Sequence, residues 1–339
     1  MATETQGTNY DANYITEFSK RRNEPKWFTD LRQKALELSE TLPMPKPEKT
    51  RIVGWNFTDF QHETEFKPLT SPEDLPQHIG RLVGQGEQSG NLLVLQNGNN
   101  AYAALSEELK AKGVIFTDLA TALREHSDLV EKYYFKEAAD YDENRLTALH
   151  AALVNSGVFL YVPKNVEVKV PLQALVWQEN LNAGLISHTI IVADQGSSVT
   201  YVENFISDKG EGQSTANIIA EIYVGDNAKV QFGAVDNLAK GATAYVNRRG
   251  YVGRNGQLEW ALGQMNEGNT LSETYTALVG EAATTDTKAV SIGNGHQQQN
   301  FTNHIKHFGQ HTASDMLIHG VQRESASAIF NGVPKIEHG

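Results

Sequence analysis

The chain has 339 residues, of which 40 % are hydrophobic and 21 % are charged, and this length predicts two domains or one large one. Its 29 Lys and Arg residues against 41 Asp and Glu residues give a formal net charge of −12, which argues against a general binder of nucleic acid or of anionic membranes. The chain contains no cysteine, which excludes disulfides, Cys-ligated zinc or iron–sulfur clusters and a thiolate nucleophile.

The first 155 residues show mostly helical periodicity. Two helices are expected between Tyr10 and Leu42, interrupted at Asn23-Glu24-Pro25. A strand is expected over 90–96, followed by a turn over 97–100. Further helices are expected over 106–112, 118–126, 129–139 and 143–155. The glycine-rich segment Gly84–Gly90 precedes the strand instead of following it, so it is interpreted as a loop and not as a dinucleotide fingerprint.

From Ser156 onward the pattern changes to short strands separated by Gly, Asp and Asn. An apolar residue followed by Gly and a polar turn recurs at Val224, Val252, Val279 and Phe308, which are 28, 27 and 29 residues apart. A two-strand unit of this length cannot bury its apolar face alone, so it must stack on its neighbours. The repeat therefore predicts a mainly β fold, with a parallel β-helix over 156–339 and an α-rich domain with a short β-hairpin over 1–155. A β-sandwich of antiparallel hairpins is the competing architecture.

Two groups of polar residues are candidates for chemistry. Five histidines fall between His296 and His319, but 304 and 307 are an odd number of positions apart, so on a strand they point to opposite faces. They are interpreted as coil or interface residues. The carboxylates of the β region are interpreted as solvent-facing charges and not as paired acids and bases; they are Glu203, Glu221, Asp226, Asp236, Glu259, Glu267, Glu273 and Glu281.

Four segments resemble a known family. They are EPKWFTDLRQKALELSETLPMP from Glu24, GWNFTDF from Gly54, SGVFLYVPKNVEVKVPLQ from Ser156 and HFGQHTASDMLIHGVQRESASAIFNGVPKI from His307. Together they resemble the SufB/SufD family of iron–sulfur cluster assembly proteins over essentially the whole chain. The SufD branch is closer, since a SufB protein would be expected to carry cysteines.

The resemblance implies a right-handed parallel β-helix and a non-catalytic scaffold subunit. It implies pairing with a SufB-like subunit and with a SufC-like ATPase, the latter through a C-terminal helical domain that would follow residue 339. The chain is therefore expected to be cut within its β-helix. Its ending, Glu337-His338-Gly339, is interpreted as part of an earlier coil. No catalytic, metal-binding or cofactor-binding residue is assigned, and an iron–sulfur cluster is expected only transiently in the full complex.

A β-helix that stops between coils exposes a strand edge, and the resemblance puts the partner contact near the same end. The expected interface residues are His307, His319, Ile329, Phe330, Gly332, Val333 and Ile336. Pairing there would give a heterodimer or a two-fold homodimer. The alternative function is a polysaccharide lyase or hydrolase, which would use converging carboxylates in a groove.

The location of the protein is expected to be cytoplasmic, with neither nucleic acid nor a membrane as partner. The N-terminus lacks the basic start and the apolar run of a secretory signal. No stretch reaches the roughly 18 to 20 apolar residues of a membrane span.

Overall fold

The computed structural model describes residues 8–83, 90–210 and 212–337. It is mainly β, with 43 % strand and 19 % helix, and forms a parallel β-solenoid of about six turns with an N-terminal helical region. Most of the predicted loop at Gly84–Gly90 and the last two residues of the Glu337-His338-Gly339 ending lie outside the described residues.

The N-terminal helices follow the predicted order. Within the described residues the α-helices are α1 (Ala12–Arg21), α2 (Lys26–Thr41), α3 (Gln77–Gly80), α4 (Glu107–Ala111), α5 (Leu119–Glu125), α6 (Ser127–Tyr133) and α7 (Arg145–Leu153). The break between α1 and α2 falls at the predicted Asn23-Glu24-Pro25, where Asn23 takes a positive φ of 53°. At the start of α1, the Asp11 carboxylate accepts a hydrogen bond from the Tyr14 backbone N–H at 2.8 Å, as an N-cap does.

The helix predicted over 129–139 begins earlier and is shorter. It ends at Tyr133, because Phe135 takes a left-handed φ of 49° and so cannot continue the helix. The Phe135 backbone N–H instead donates to the Glu221 carboxylate on the β-helix at 2.7 Å. A contact distant in sequence therefore overrides the local helical pattern.

The strands form two eight-stranded sheets that face each other. They are β1 (Leu92–Gln96), β2 (Asn99–Ala104), β3 (Ile115–Asp118), β4 (Ser156–Val162), β5 (Leu172–Gln178), β6 (Leu185–Ala193), β7 (Ser198–Ser207), β8 (Ser214–Val224), β9 (Lys229–Asn237), β10 (Ala242–Val252), β11 (Gln257–Gln264), β12 (Thr270–Leu278), β13 (Thr284–Gly293), β14 (Gln298–His307), β15 (Ala313–Gln322) and β16 (Ser327–Ile336). The first sheet has the order β15-β13-β11-β9-β7-β5-β1-β2, and the second β16-β14-β12-β10-β8-β6-β4-β3.

From β4 onward every pairing joins strands two apart in sequence, and all of these pairings are parallel. Each coil therefore contributes one strand to each sheet, which is the arrangement of a β-solenoid. The predicted solenoid is confirmed, and the competing sandwich of antiparallel hairpins is wrong.

The predicted hairpin over the first region is present but belongs to the solenoid sheets. β1 pairs antiparallel with β2 and parallel with β5, so the hairpin extends the first sheet. The short strand β3, which the sequence analysis did not predict, pairs antiparallel with β4 and extends the second. The proposed domain boundary between residues 155 and 156 stays a prediction.

The polar turns between coils stack on one another. Residues 227, 255, 282 and 311 all have φ between 53° and 57°. The backbone N–H of Asn227 donates to Arg254 O, that of Asn255 to Glu281 O and that of Ala282 to Gln310 O, each at 2.8 Å. These hydrogen bonds between successive coils give the repeat its regular spacing.

The apolar positions before the turns are only partly equivalent. Val224 pairs with Val252, and both are buried. Val252 then pairs with Leu278, and Leu278 with His307. Val279 and Phe308 were expected to be equivalent to Val252, but each lies one residue beyond the strand, where Val279 is half-buried and Phe308 is 47 % exposed. Each of these two coils has one more residue between the end of its strand and its turn. The turns are therefore equivalent from coil to coil, although the residues that precede them are not.

The helices cover the outer face of the second sheet. α2 packs on α7, and one buried cluster combines residues of both helices with outward residues of the strands, including Ile190, Ile219 and Tyr245. Because the helices cover only its first strands, this face of the second sheet is fully buried near its start and becomes accessible toward β14 and β16.

Among the described residues, no helix is long and apolar enough to cross a membrane.

Candidate functional site

The predicted partner residues lie mostly at the last described edge of the β-helix. Ile329, Phe330, Gly332, Val333 and Ile336 are on β16, which is the end strand of its sheet. Their exposure ranges from half-buried at Ile329 to 78 % at Ile336. The structure thus brings five of the seven together on one strand.

These five residues point to two different sides of β16, since successive side chains of a strand alternate. Phe330 stacks on Phe301 of the neighbouring strand with ring centroids 5.4 Å apart. Phe330 also lines a small cavity, so the side of β16 that carries Phe330 faces the interior of the coil. Val333, 42 % exposed, is an odd number of positions away and therefore faces outward.

The two histidines of the predicted interface are separated. His307 ends β14 next to Ile336, and its ring nitrogens lie 2.8 Å from Thr312 Oγ1 and 3.0 Å from Ser314 Oγ. His319 is exposed on β15, in the other sheet, where it pairs with Val290. His307 therefore belongs to the β16 edge and His319 to the outer face of the first sheet.

The histidine-rich segment does not converge on one point. His304 is half-buried, whereas His296, His311 and His319 are exposed. Within residues 8–83, 90–210 and 212–337 no group of three or more His, Cys, Asp or Glu side chains is arranged to hold a metal ion.

Three of the carboxylates interpreted as solvent-facing are fully buried, so that interpretation is wrong for them. Glu203, Glu221 and Asp236 are each 0 % exposed. Glu267 and Glu281 are exposed as expected. Burial of a carboxylate requires partners, and the partners come from other coils and from the N-terminal region.

Glu203 and Asp236 share one arginine inside the β-helix. The two terminal nitrogens of Arg248 donate to both Asp236 oxygens, at 2.7 and 3.0 Å, and Arg248 Nη2 lies 3.4 Å from Glu203 Oε1. Tyr201 and Thr189 donate their hydroxyls to Glu203 Oε2 at 3.1 and 3.2 Å. Burial raises the pKa of Glu203 to about 7, although Arg248 acts in the opposite direction. A protonated Glu203 leaves an internally neutral Arg248–Asp236 pair.

Arg248 is not among the residues predicted from the sequence, although the sequence contains a signal for it. Along β10 the positions that share its face are Ala244, Val246, Gly250 and Val252, so the period of two places this arginine inward. An inward charge on a solenoid strand predicts a buried acidic partner.

Glu221 forms a second buried network on the outer face of the second sheet, under the helical region. His188 Nε2 lies 2.9 Å from Glu221 Oε1, and His188 Nδ1 lies 3.0 Å from His150 Nε2. Tyr223 donates its hydroxyl to Glu221 Oε2 at 2.8 Å. Burial raises the pKa of Glu221 to about 8 and lowers the pKa of His188 to about 3. The pKa of His150 is also lowered by burial, and then by the neighbouring His188.

Neither network is arranged as an open catalytic site. Glu203, Asp236 and Arg248 lie in the interior of the coils with 0 % exposure, and so do His150, His188 and Glu221 beneath the helices. Their hydrogen bonds join coil to coil and the helical region to the solenoid. What they can do chemically is hold these parts together.

Fold and sites together define a parallel β-solenoid with a helical N-terminal region and internally paired charges. Residues 176–339 match the family model described as SUF system FeS cluster assembly, SufBD core domain. Residues 87–174 match the model of the SufBD protein N-terminal region.

Curated relatives match over most of the chain. The chain is 52 % identical over 331 residues to the iron-sulfur cluster assembly protein SufD of Bacillus subtilis, covering 97 % of this chain and 76 % of the relative. It is 29 % and 30 % identical to SufBD family proteins of Staphylococcus epidermidis and Staphylococcus haemolyticus, covering 95 % of this chain and 70 % of each relative. The chain belongs to the SufB/SufD family and is a SufD-like member of it, as the four quoted segments predicted.

Proposed function

We propose that this protein is a scaffold subunit for iron–sulfur cluster assembly. The observation that carries the proposal is its 52 % identity, over 97 % of the chain, to the Bacillus subtilis protein named for that process. The buried Arg248 and Glu221 networks support a structural role, because their ionisable groups face one another and not a groove. The lyase or hydrolase alternative has no support in the comparisons.

The proposed partners are a SufB-like subunit and a SufC-like ATPase. β16 is the end strand of its sheet, and an end strand can add a strand from another chain by main-chain hydrogen bonding. We place the SufB-like contact there, at Ile329 to Ile336 together with His307. The ATPase is proposed to supply all ATP hydrolysis and to dock through the C-terminal helices that the family resemblance implies.

The partner proposal is tested by co-expression with the cognate SufB-like and SufC-like proteins and affinity capture of the complex. Val333→Lys, at 42 % exposure on β16, should reduce capture of the SufB-like subunit at least tenfold. Val235→Lys is the matched control, because Val235 is 39 % exposed and lies on β9, away from this edge. Equal capture by both variants would contradict the proposed edge.

The same variants separate a heterodimer from a homodimer. Light scattering on the chain alone should show self-association that Val333→Lys reduces, if the edge also accepts a second copy. Self-association that competes with capture of the SufB-like subunit would show that both use β16.

We further propose that the cluster is cargo and that this chain alone holds none. Standard cluster sites use cysteine thiolates, and the chain has no cysteine. Anaerobic reconstitution with iron and sulfide, followed by visible absorption, should leave the isolated chain colourless after desalting. A stable, stoichiometric cluster spectrum would contradict this. The cytoplasmic location stays a prediction, which fractionation of the source cells would test.

A further inference from the structure

The interior of the β-helix changes from apolar to polar along its length. The inward residues of β9 include Val230, Phe232 and Ala234. Two coils further on, the inward residues of β13 include Thr285, Thr287 and Ser291. The second sheet changes in the same way: inward positions there are Ser272 and Thr274 on β12 and Asn303 on β14.

Except for Thr285, these polar side chains line a small cavity of about 20 Å³. Gln264 of β11 and Thr287 of β13 line it from the first sheet, and Asn303 of β14 lines it from the second. The three residues are 1–3 % exposed. Ile318 and Phe330 of the next coil also line it, so the cavity lies within the last described coils.

Four side-chain polar atoms of the residues lining this cavity have no hydrogen-bonding partner among the described residues. They are Gln264 Oε1, Thr287 Oγ1, Asn303 Oδ1 and Asn303 Nδ2. Buried polar groups in native proteins nearly always have a partner, which is either protein or an ordered water. Exchanging the assigned oxygen and nitrogen of the Asn303 amide would not give either atom a partner, because both lack one among the described residues.

The chemistry of the lining specifies what would bind there. Asn303 offers a donor and an acceptor, Gln264 offers an acceptor, and the Thr287 hydroxyl can do either. No residue that lines the cavity in the described part of the chain is charged. The lining therefore suits a small neutral molecule that both donates and accepts hydrogen bonds. A cavity needs roughly 10–15 Å³ to hold one water molecule, and this one is of that size.

We propose that this cavity is an ordered-water site, in which one water molecule bridges Thr287 of the first sheet to Asn303 of the second. Gln264 pairs with Ser291, four positions along β13 from Thr287, so it lines the cavity away from this bridge. The bridge joins the two sheets at a level where polar side chains stand among the apolar Leu262, Phe301 and Phe330. It performs between these coils the task that the Arg248–Asp236 pair performs two coils earlier.

The first test is the substitution Thr287→Val, which removes the hydroxyl and keeps the shape of the side chain. If water binds the hydroxyl, the variant loses a hydrogen bond and its Tm falls by roughly 2 °C or more. If the hydroxyl has no partner, its removal relieves an unpaired buried group and the Tm stays or rises. An unchanged or higher Tm would overturn the proposal.

Thr285→Val provides the matched calibration. Thr285 lies on the same strand and face and is similarly buried, and its hydroxyl donates to Leu258 O at 2.9 Å. The loss measured there is that of one protein hydrogen bond. The loss for Thr287→Val should be of comparable size.

The second test is a high-resolution crystal structure of the chain. Density for one water within about 2.7–3.2 Å of Thr287 Oγ1 and of an Asn303 side-chain atom would support the site. Well-ordered side chains around a cavity that shows no such density would overturn it. Xenon bound in the cavity under pressure would also overturn it, because xenon occupies dry apolar cavities.

Discussion

His188 Nε2 lies 2.9 Å from Glu221 Oε1, and both side chains are fully buried. The neighbouring groups decide where the protons are. The Asn217 side-chain nitrogen donates to Leu146 O at 2.8 Å, so both Asn217 oxygens near His150 Nδ1, each at 3.1 Å, are acceptors. His150 Nδ1 therefore carries a proton.

Three hydrogen bonds follow one another along this network and need three protons. They join His150 to Asn217, His150 to His188, and His188 to Glu221. Two neutral imidazoles supply two protons, so the third belongs to Glu221 as a carboxylic acid. Because burial raises the pKa of Glu221 and lowers that of His188, the neutral pair is favoured over the ion pair.

This network predicts a loss of stability at alkaline pH. The pKa of Glu221 rises from 4.5 in the unfolded chain to about 8 in the folded one. The folded state therefore keeps a proton that the unfolded state loses, and the free energy of unfolding falls as the pH rises from 4.5 to about 8. At about 1.4 kcal/mol per pKa unit, the loss amounts to a few kcal/mol.

Urea unfolding at pH 6.5 and 8.5 measures this effect. Glu221→Gln should be less stable at pH 6.5, since an amide cannot accept the Phe135 N–H and donate to His188 from one atom, but it should lose less between the two pH values. Glu281→Gln, at an exposed turn, should behave as the wild type. An equal pH dependence of Glu221→Gln and wild type would show that this carboxyl does not titrate in that range.

Stability should also fall on the acid side. Burial lowers the pKa of His62 and His188 from 6.5 to about 3, and that of His150 well below 6.5. Below pH 6.5 the unfolded chain takes up these protons and the folded chain does not, so the free energy of unfolding falls with pH. Between pH 4.5 and 6.5 the three histidines outweigh the opposite effect of Glu203 and Glu221. We expect a maximum near pH 6.5 in urea midpoints measured from pH 4 to 9; a steady rise to pH 9 would contradict the assignment.

Arg248→Met should be strongly destabilising. The substitution leaves Asp236 and Glu203 buried without their cation, and breaking a buried ion pair in this way costs about 3–5 kcal/mol. Arg254→Met is the control, because Arg254 pairs with Asp226 at 3.5 Å with 55 % of its side chain exposed, and such pairs contribute about 0–1 kcal/mol. Denaturant unfolding of both variants gives the comparison, and similar losses would mean that Asp236 and Glu203 find other partners.

The stacked turns predict a stabilising substitution, Ala282→Asn. Ala282 has a φ of 55°, and this left-handed conformation costs residues other than Gly, Asn or Asp about 1–2 kcal/mol. Its counterparts in the two preceding coils are Asn255 and Asn227, joined by a side-chain hydrogen bond of 3.0 Å. The new amide would extend that pair, so we expect a gain of about 0.5–1 kcal/mol. Asn255→Ala should lose a similar amount, and a Tm for Ala282→Asn below that of wild type would contradict the interpretation.

Val252→Asp and Val279→Asp test whether burial follows the sequence repeat or the strand register. Val252 is fully buried between Val224 and Leu278, so a carboxylate there should cost several kcal/mol. Val279 has the same place in the sequence repeat but lies half-buried beyond its strand, and its substitution should cost about 1 kcal/mol or less. Equal losses in thermal melts would show that the two sites are equivalent after all.

The sequence by itself determined the β-solenoid, the approximate coil length and the order of the helices. The period of 27 to 29 residues indicates a unit that must stack on its neighbours. The Asn and Gly residues indicate turns, because they tolerate a positive φ. Both are properties of short segments, so they can be recognised without the fold. The same holds for the N-terminal helix pair, whose break at Asn23 is a local event.

Only the tertiary structure decided which charges are inside. Glu203 and Arg248 are 45 residues apart in the chain and His150 and His188 are 38 apart, so no local pattern links them. Tertiary contact also ended α6, where the Phe135 N–H donates to Glu221, 86 residues further on. The position of each side chain on the strands depends on the register between coils. That register is continuous up to Leu278, and the extra residue Val279 lies between the strand end and the turn, which are aligned by different hydrogen bonds.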